Sequence, residues 1–223
     1  MSQGLSVLHY TTLVFDCDGV VLDSNKVKTK AFYQATLSYG AAAAQAMVDY
    51  HVANGGVSRY KKFAHFLEQI APMHSDQHGH NLESLLQDYA GHVRQGLFSC
   101  EIAPGLETLR QQTPNARWLI VSGGDQAELR DVFTQRGLAD LFDGGIFGSP
   151  DTKEDILSRE LANGNIRSPS LFLGDSEYDQ QAAAAMGLDF VFLSGWTEVQ
   201  GWEEWCHVKG ISCKTSIKDL MVC

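Results

Sequence analysis

The chain has 223 residues, 44% hydrophobic and 20% charged, enough for one sizeable domain or a main domain carrying a smaller insertion. Its formal net charge of −10 argues against nucleic acid as a general partner, and no apolar run approaches the ~20 residues that cross a bilayer. Met1 to Tyr10 lacks a basic start and a continuous apolar stretch, so no signal peptide is expected; five cysteines without a CxxC pair point to a reducing, cytoplasmic setting.

Thr11 to Phe15 is a β-branched and aromatic run that stops abruptly at Asp16-Cys17-Asp18-Gly19, which reads as a buried strand followed by a tight turn. The grammar then turns helical as far as Gln95. Val27, Ala31, Phe32, Ala35 and Leu37 predict a first helix stopped by Gly40, and Ala41 to Ala53 a second, ended by Asn54-Gly55-Gly56. Ser58 is placed to cap a third helix with Phe63, Phe66, Leu67 and Ile70 on its apolar side, and Asn81 to start a fourth through Leu82, Leu85, Leu86, Tyr89 and Val93. Charge marks the same segment. Residues 24–95 carry seven basic and five acidic side chains, net +2, against −12 for the rest, and hold six of the eight histidines.

After Pro104-Gly105, strands and helices alternate. Strands are predicted at Trp118 to Val121, Gly145 to Phe147, Leu171 to Leu173 and Phe190 to Leu193. Helices are predicted between them at Gln126 to Gln135, Lys153 to Leu161 and Tyr178 to Met186. This repeat gives an α/β fold with an open parallel sheet, Rossmann-like, covered on both faces. Trp196, Trp202, Trp205 and the run Val208 to Ser212 fit a final helix and an edge strand. The expected organisation is a core of residues 1–23 and 96–223 interrupted by a helical cap at 24–95. Ligands bind at the carboxyl ends of strands in such sheets, and the insertion leaves from that end, so it should lie over the site.

Four motifs fall at successive predicted strand ends. Asp16 and Asp18 are an acidic pair after a buried strand, a costly placement unless something cationic is bound, although a solvated Asp-x-Asp-Gly turn would look the same. Ser122-Gly123-Gly124 offers a hydroxyl and backbone amides that can approach phosphate oxygens. Lys153 stands at a helix entry where the macrodipole prefers an anion, and alone it reads as a solvated lysine. Asp175 and Asp179 are spaced by one helical turn, so both can face one ion; Asp16, Asp175 and a backbone carbonyl would suit Mg²⁺.

In order and placement these motifs resemble the haloacid dehalogenase superfamily over essentially the whole chain, in the branch with a helical cap inserted after the first strand. The resemblance implies Asp16 as nucleophile and magnesium ligand, and Asp18 as general acid and base whose backbone carbonyl also binds the metal. It implies Ser122, the Gly123 amide and Lys153 around the transferring phosphoryl, Asp175 completing the metal set and Asp179 supporting it from outside. Relatives acting on carbon–halogen or carbon–phosphorus bonds lack an acid at the position of Asp18, so its retention points to phosphomonoesters.

Gly55-Gly56-Val57-Ser58-Arg59 resembles the substrate-specificity loop of this cap type, closest to that of the β-phosphoglucomutases. Arg59 and one of Lys26 or Lys28, with Ser58 in the same loop, are expected to meet a second anionic or polyhydroxyl part of the substrate, unless they form a solvated basic face. Those mutases carry a histidine where this chain has Lys28, which argues against a phosphate-transferring isomerase while leaving it as an alternative. His74, His78 and His80 could suggest zinc, but no acidic or cysteine partner completes a site. Cys17 is expected to contribute only its amide, and the tryptophans to pack over the sheet edge. The expectation is a cytoplasmic Mg²⁺-dependent phosphatase of a small phosphorylated metabolite, a sugar phosphate or a phosphorylated acid, monomeric or weakly dimeric, without nucleic-acid or membrane partners. The alternatives are a hexose-phosphate mutase and a catalytically silent phosphate-binding protein.

Overall fold

The computed structural model describes residues 6–74 and 80–221. Six parallel strands form one sheet: β1 (Thr12–Phe15), β2 (Arg117–Asp125), β3 (Gly145–Ser149), β4 (Ser170–Gly174), β5 (Asp189–Leu193) and β6 (Ser212–Lys214), in the order β3-β2-β1-β4-β5-β6. β1 is central, pairing with β2 and β4, so all four of its residues are buried. Side chains alternate across a strand, and both faces are apolar here. Leu13 and Phe15 join Trp118, Ile120, Leu171 and Leu173 on one side, while Val14 joins Leu119, Val121 and Phe172 on the other.

The helices between the strands cover these faces: α6 (Leu106–Gln112), α7 (Gln126–Gln135), α8 (Lys153–Ala162), α9 (Glu177–Ala185) and α10 (Trp202–Lys209), numbered after the five of the inserted segment. α8 and α9 each begin with a capping box, Thr152 with Asp155 and Ser176 with Asp179. Asp179 therefore has a structural duty as well as any chemical one.

Between β1 and β2 run α1 (Asn25–Thr36), α2 (Ala41–Ala53), α3 (Arg59–His65), α4 (Ala71–His74) and α5 (Leu82–Ser99), with a π-helical stretch Phe66–Ile70 joining α3 to α4. Ser58 caps α3 and Asn81 caps α5, as their side-chain chemistry predicts. Phe32 is at the centre of this layer, with ring centroids 4.5 Å from Tyr89 and 5.1 Å from Phe63. The chain's exit and re-entry are stitched together, because Asp23 N donates to Glu101 O and Ala103 N to Val21 O, each at 2.9 Å.

Two boundaries differ from expectation. β2 does not end at Val121. A register shift carries it through Ser122-Gly123-Gly124 to Asp125, which pairs with Ser149. At the carboxyl end, α10 includes Val208, and Gly210 in the left-handed region (φ +65°) stops it, so the edge strand begins at Ser212. Trp202 and Trp205 pack on Phe192, each at 5.6 Å between ring centroids.

Phe15 is fully buried, 4.7 Å from the Trp118 ring and 5.5 Å from Phe142. Phe15→Ala should cost about 3–5 kcal/mol, read from the shift in denaturant midpoint; a loss below about 1 kcal/mol would contradict this packing.

Candidate active site

Strand register decides which motifs meet. Phe15 is level with Ile120 of β2 and Leu173 of β4, so the residues that follow all three emerge at one edge of the sheet. Asp16 N donates to Leu173 O at 2.9 Å, which holds Asp16 beside the turn that carries Asp175. Asp16, Ser122, Lys153, Asp175 and Asp179 are all nearly or fully buried. Cys17 contributes its amide, which donates to Asp16 Oδ1 at 2.7 Å. The Ser122 hydroxyl accepts from Gly124 N at 3.1 Å, and Ser149 Oγ donates to the carbonyls of Gly123 and Gly124, fixing the glycine turn.

Lys153 joins the two acidic motifs. Its Nζ lies 2.9 Å from Asp16 Oδ2 and also bonds Asp179 Oδ1. The remaining Asp179 oxygen accepts from Asp175 N, Ser176 N and Ser176 Oγ, so this carboxylate orients the Asp175 turn from outside. One oxygen each of Asp16, Asp175 and Asp179 lies within 4.8 Å of the others.

Burial dominates the electrostatics of the group. It pushes Asp16 up to about 7 against the opposing pull of Lys153. Burial, then the charges of Asp16 and Asp179, raises Asp175 well above the usual carboxylate range. Asp18 behaves differently: burial acts upward, but Lys28 and Ser24 outweigh it and hold the carboxyl below its ordinary value. Buried oxygens whose ionisation is this unfavourable are a fitting donor set for a small hard dication, and the residues present fit magnesium. Gly19 serves the same cradle: a Cβ there would lie 2.0 Å from Asp175 Oδ2.

The helical segment closes against this edge. Lys28 Nζ and Ser24 Oγ each donate to Asp18 at 2.5 Å. Arg59 forms an ion pair with Glu128 of α7 while its guanidinium lies 4.8 Å from the Tyr89 ring centroid, and Tyr60 OH donates to Asp125 at 2.7 Å. Gly123 must be glycine because a Cβ would come within 2.0 Å of Gly56 O. Of the two lysines expected near the substrate, Lys28 is buried at the site and Lys26 is exposed. Ser58 Oγ is occupied as the cap of α3, accepting from Lys61 N. His80 pairs with Asp88 at 3.0 Å, and His78 lies outside the described residues.

Four participants escaped the sequence reading. Asn25 donates to Asp175 Oδ2 at 2.7 Å and to Trp196 O at 2.9 Å, tying the start of α1 to the acidic turn. Lys62, His51 and Tyr89 line the same cavity as Asp16, Asp18, Lys28 and Arg59, a space of about 40 Å³. The available signal for Lys62 was its position one turn after Arg59, which puts both on one helix face.

The chain belongs to the haloacid dehalogenase-like hydrolase family, whose model matches residues 10–187. Its architecture is similar to that of a predicted phosphatase from Clostridium acetobutylicum, with 18% identity, TM-score 0.71, and 95% of this chain and 96% of that one covered. It is also similar to β-phosphoglucomutase from Clostridium difficile (16% identity, TM-score 0.68, 95% and 93% covered). A third similar structure is CbbY from Rhodobacter sphaeroides in complex with phosphate (15% identity, TM-score 0.65, 86% and 89% covered). At these identities the likeness concerns the fold. No curated protein matches the chain. Among the described residues, no helix is long and apolar enough to cross a membrane.

Gly123→Ala should push the Gly56 loop away from the sheet. Amide exchange at Val57 and Lys61 should accelerate by about tenfold or more, equivalent to about 1.4 kcal/mol of local opening, while Ile120 and Leu173 stay protected. Unchanged protection across 54–61 would contradict the close approach.

Proposed function

We propose that the protein is a magnesium-dependent phosphomonoesterase that hydrolyses a small phosphorylated metabolite through an aspartyl-phosphate on Asp16. The observation that carries this reading is the buried meeting of Asp16, Lys153, Asp175 and Asp179 at the sheet edge, beside Asp18 and the Ser122-Gly123 turn. Phosphoryl transfer needs in-line positioning and charge neutralisation more than unusual reactivity, and these residues provide both. Asp16, Asp175 and the Asp18 backbone carbonyl would hold magnesium, which supplies positive charge against the phosphoryl oxygens.

In the first step an Asp16 oxygen attacks phosphorus, the bond from phosphorus to the ester oxygen breaks, and Asp18 gives that oxygen a proton. Ser122, the Gly123 amide and Lys153 hold the remaining phosphoryl oxygens. In the second step Asp18, now a carboxylate, takes a proton from water as it attacks the phosphorylated Asp16. Lys28 keeps Asp18 ionised, the form the second step needs. An anionic ester entering beside Asp18 raises its proton affinity and prepares the form the first step needs.

The mutase alternative gains no support at the position where it would be read, since Lys28 is engaged with Asp18. A silent binding protein would have no use for a nucleophile and a proton donor held together.

The test is a screen of phosphorylated metabolites with Mg²⁺, following free phosphate. Asp16→Asn should abolish release, and Asp18→Asn should lower kcat by roughly 10²–10⁴-fold. Chelation should remove activity and added Mg²⁺ restore it. Transfer of phosphate without net release would favour the mutase, and no turnover of any ester would sink the hydrolase reading.

A further inference from the structure

Three basic side chains and a histidine of the helical segment line the cavity over Asp16: Lys28, Arg59, Lys62 and His51. Two of the bases are already neutralised, Lys28 by Asp18 and Arg59 by Glu128. Lys62 has no carboxylate partner among the described residues. It is 2% exposed, and among the described residues its Nζ hydrogen-bonds His51 alone, Nδ1 at 2.7 Å and the backbone carbonyl at 3.3 Å, with the Phe32 ring centroid 5.6 Å away.

His51 brings no countercharge. Burial, then the charges of Lys62 and Lys28, holds its imidazole neutral, and towards an ammonium on Lys62 its Nδ1 can serve only as acceptor. These two bonds use two of the three N–H groups of an ammonium and leave the third without an acceptor among the described residues. Such a group is expensive to bury in its charged form.

The surroundings of Lys62 are mixed in sign. Lys28 and Phe32 approach from α1, His51 from α2, Arg59 from its own helix and Tyr89 from α5. Asp18 and Lys153 belong to the sheet edge, and Glu198 follows β5. Burial, then Lys28, pulls the amine down to about 7, with Lys153 acting in the same sense and Asp18 and Glu198 against it. One compact anion would complete this arrangement, giving the third N–H an acceptor and the amine a countercharge. With Lys28 and Arg59 already paired, one unpartnered amine matches a singly charged carboxylate better than a doubly charged second phosphoryl group.

We infer that Lys62, positioned by His51, is the specificity-determining residue that receives a carboxylate at the end of the substrate remote from the transferred phosphoryl, so that the enzyme acts on a small phosphorylated hydroxy acid rather than a neutral polyol phosphate. The inference rests on the phosphatase reading and narrows it. A site built to pair a charged group discriminates strongly against a ligand of equal size that lacks it.

A matched pair of substrates isolates the claim. 3-Phosphoglycerate and glycerol 3-phosphate differ in a carboxylate against a hydroxymethyl group. Wild-type kcat/KM should favour the acid by about tenfold or more, mainly through KM. Lys62→Met should bring the ratio close to one, and Lys62→Arg should recover part of it. No preference in the wild type, or a ratio unmoved by Lys62→Met, overturns the inference.

Binding gives an answer that does not depend on turnover or on the fold of the Lys62 variants. Calorimetry of Asp16→Asn at pH 8 in two buffers of different ionisation enthalpy should show more proton uptake with the acid than with the polyol phosphate. Equal uptake, or no binding of the acid, overturns the role of Lys62. Absence of phosphate release from any ester would refute the phosphatase reading instead, and the calorimetric comparison would still decide Lys62.

Discussion

The rest of the site depends on one buried ammonium. Lys153 Nζ lies between Asp16 and Asp179, and without it a carboxylate after β1 and one in the first turn of α9 would face each other in a desolvated space. A lysine in the first turn of α8 works against the helix dipole, and the two acids offset that mismatch. The compensation is incomplete. Asp16, Asp18, Asp175 and Asp179 are four acids, Lys28 and Lys153 are two bases, and the difference is two negative charges. Burial, and after it the neighbouring carboxylates, raises the proton affinities of Asp16 and Asp175, and a dication would favour their charged forms.

A second constraint is the approach of the helical segment. It touches the sheet edge through backbone at Gly56 and Gly123 and through two ion pairs, Arg59 with Glu128 and Lys28 with Asp18. In these pairs the protein's own carboxylates occupy cations that a ligand could use. Breaking a buried pair leaves an uncompensated charge, so an incoming anion must be worth more than the internal partner it replaces. Under the proposed function, that condition lets basic residues face the phosphoryl position while the helical segment stays packed against the sheet edge.

Much of this could be read from the sequence because the chemistry lies at strand ends. A buried apolar run followed by Asp16, and another followed by Asp175, fixes where the acids emerge, and parallel register brings them together. Ser122-Gly123-Gly124 has the composition of a strand terminator, yet β2 runs through it with a register shift, because a glycine pair permits a bulge as readily as a stop. The carboxyl-terminal strand was placed too early, since Val208 belongs by pattern to either a helix or a strand and Gly210 decides. Pairings between the helical segment and the sheet were not legible. Asn25 with Asp175, Thr29 with Glu198 and Arg59 with Glu128 join residues far apart in sequence through side chains that are ordinary surface types. His51 and Lys62 were hidden for the same reason: nothing in a helical run marks which polar residue will be buried.

Lys153 and Lys62 make the clearest comparison in the molecule. Both are lysines at 1–2% exposure near one cavity, so desolvation acts alike on them. Their proton affinities nevertheless move in opposite directions, because Lys153 has two carboxylates and Lys62 has a neutral imidazole. Partners rather than burial therefore set the charge. Under the proposed function, the charge on Lys153 stands where the phosphoryl group would arrive and would serve every ester equally. The charge on Lys62 depends on what lies beside it, so that end of the cavity responds to the identity of the ligand. If the proposed function holds, one fixed and one conditional cation would separate the work of transfer from the work of selection, with a single residue type placed against different neighbours.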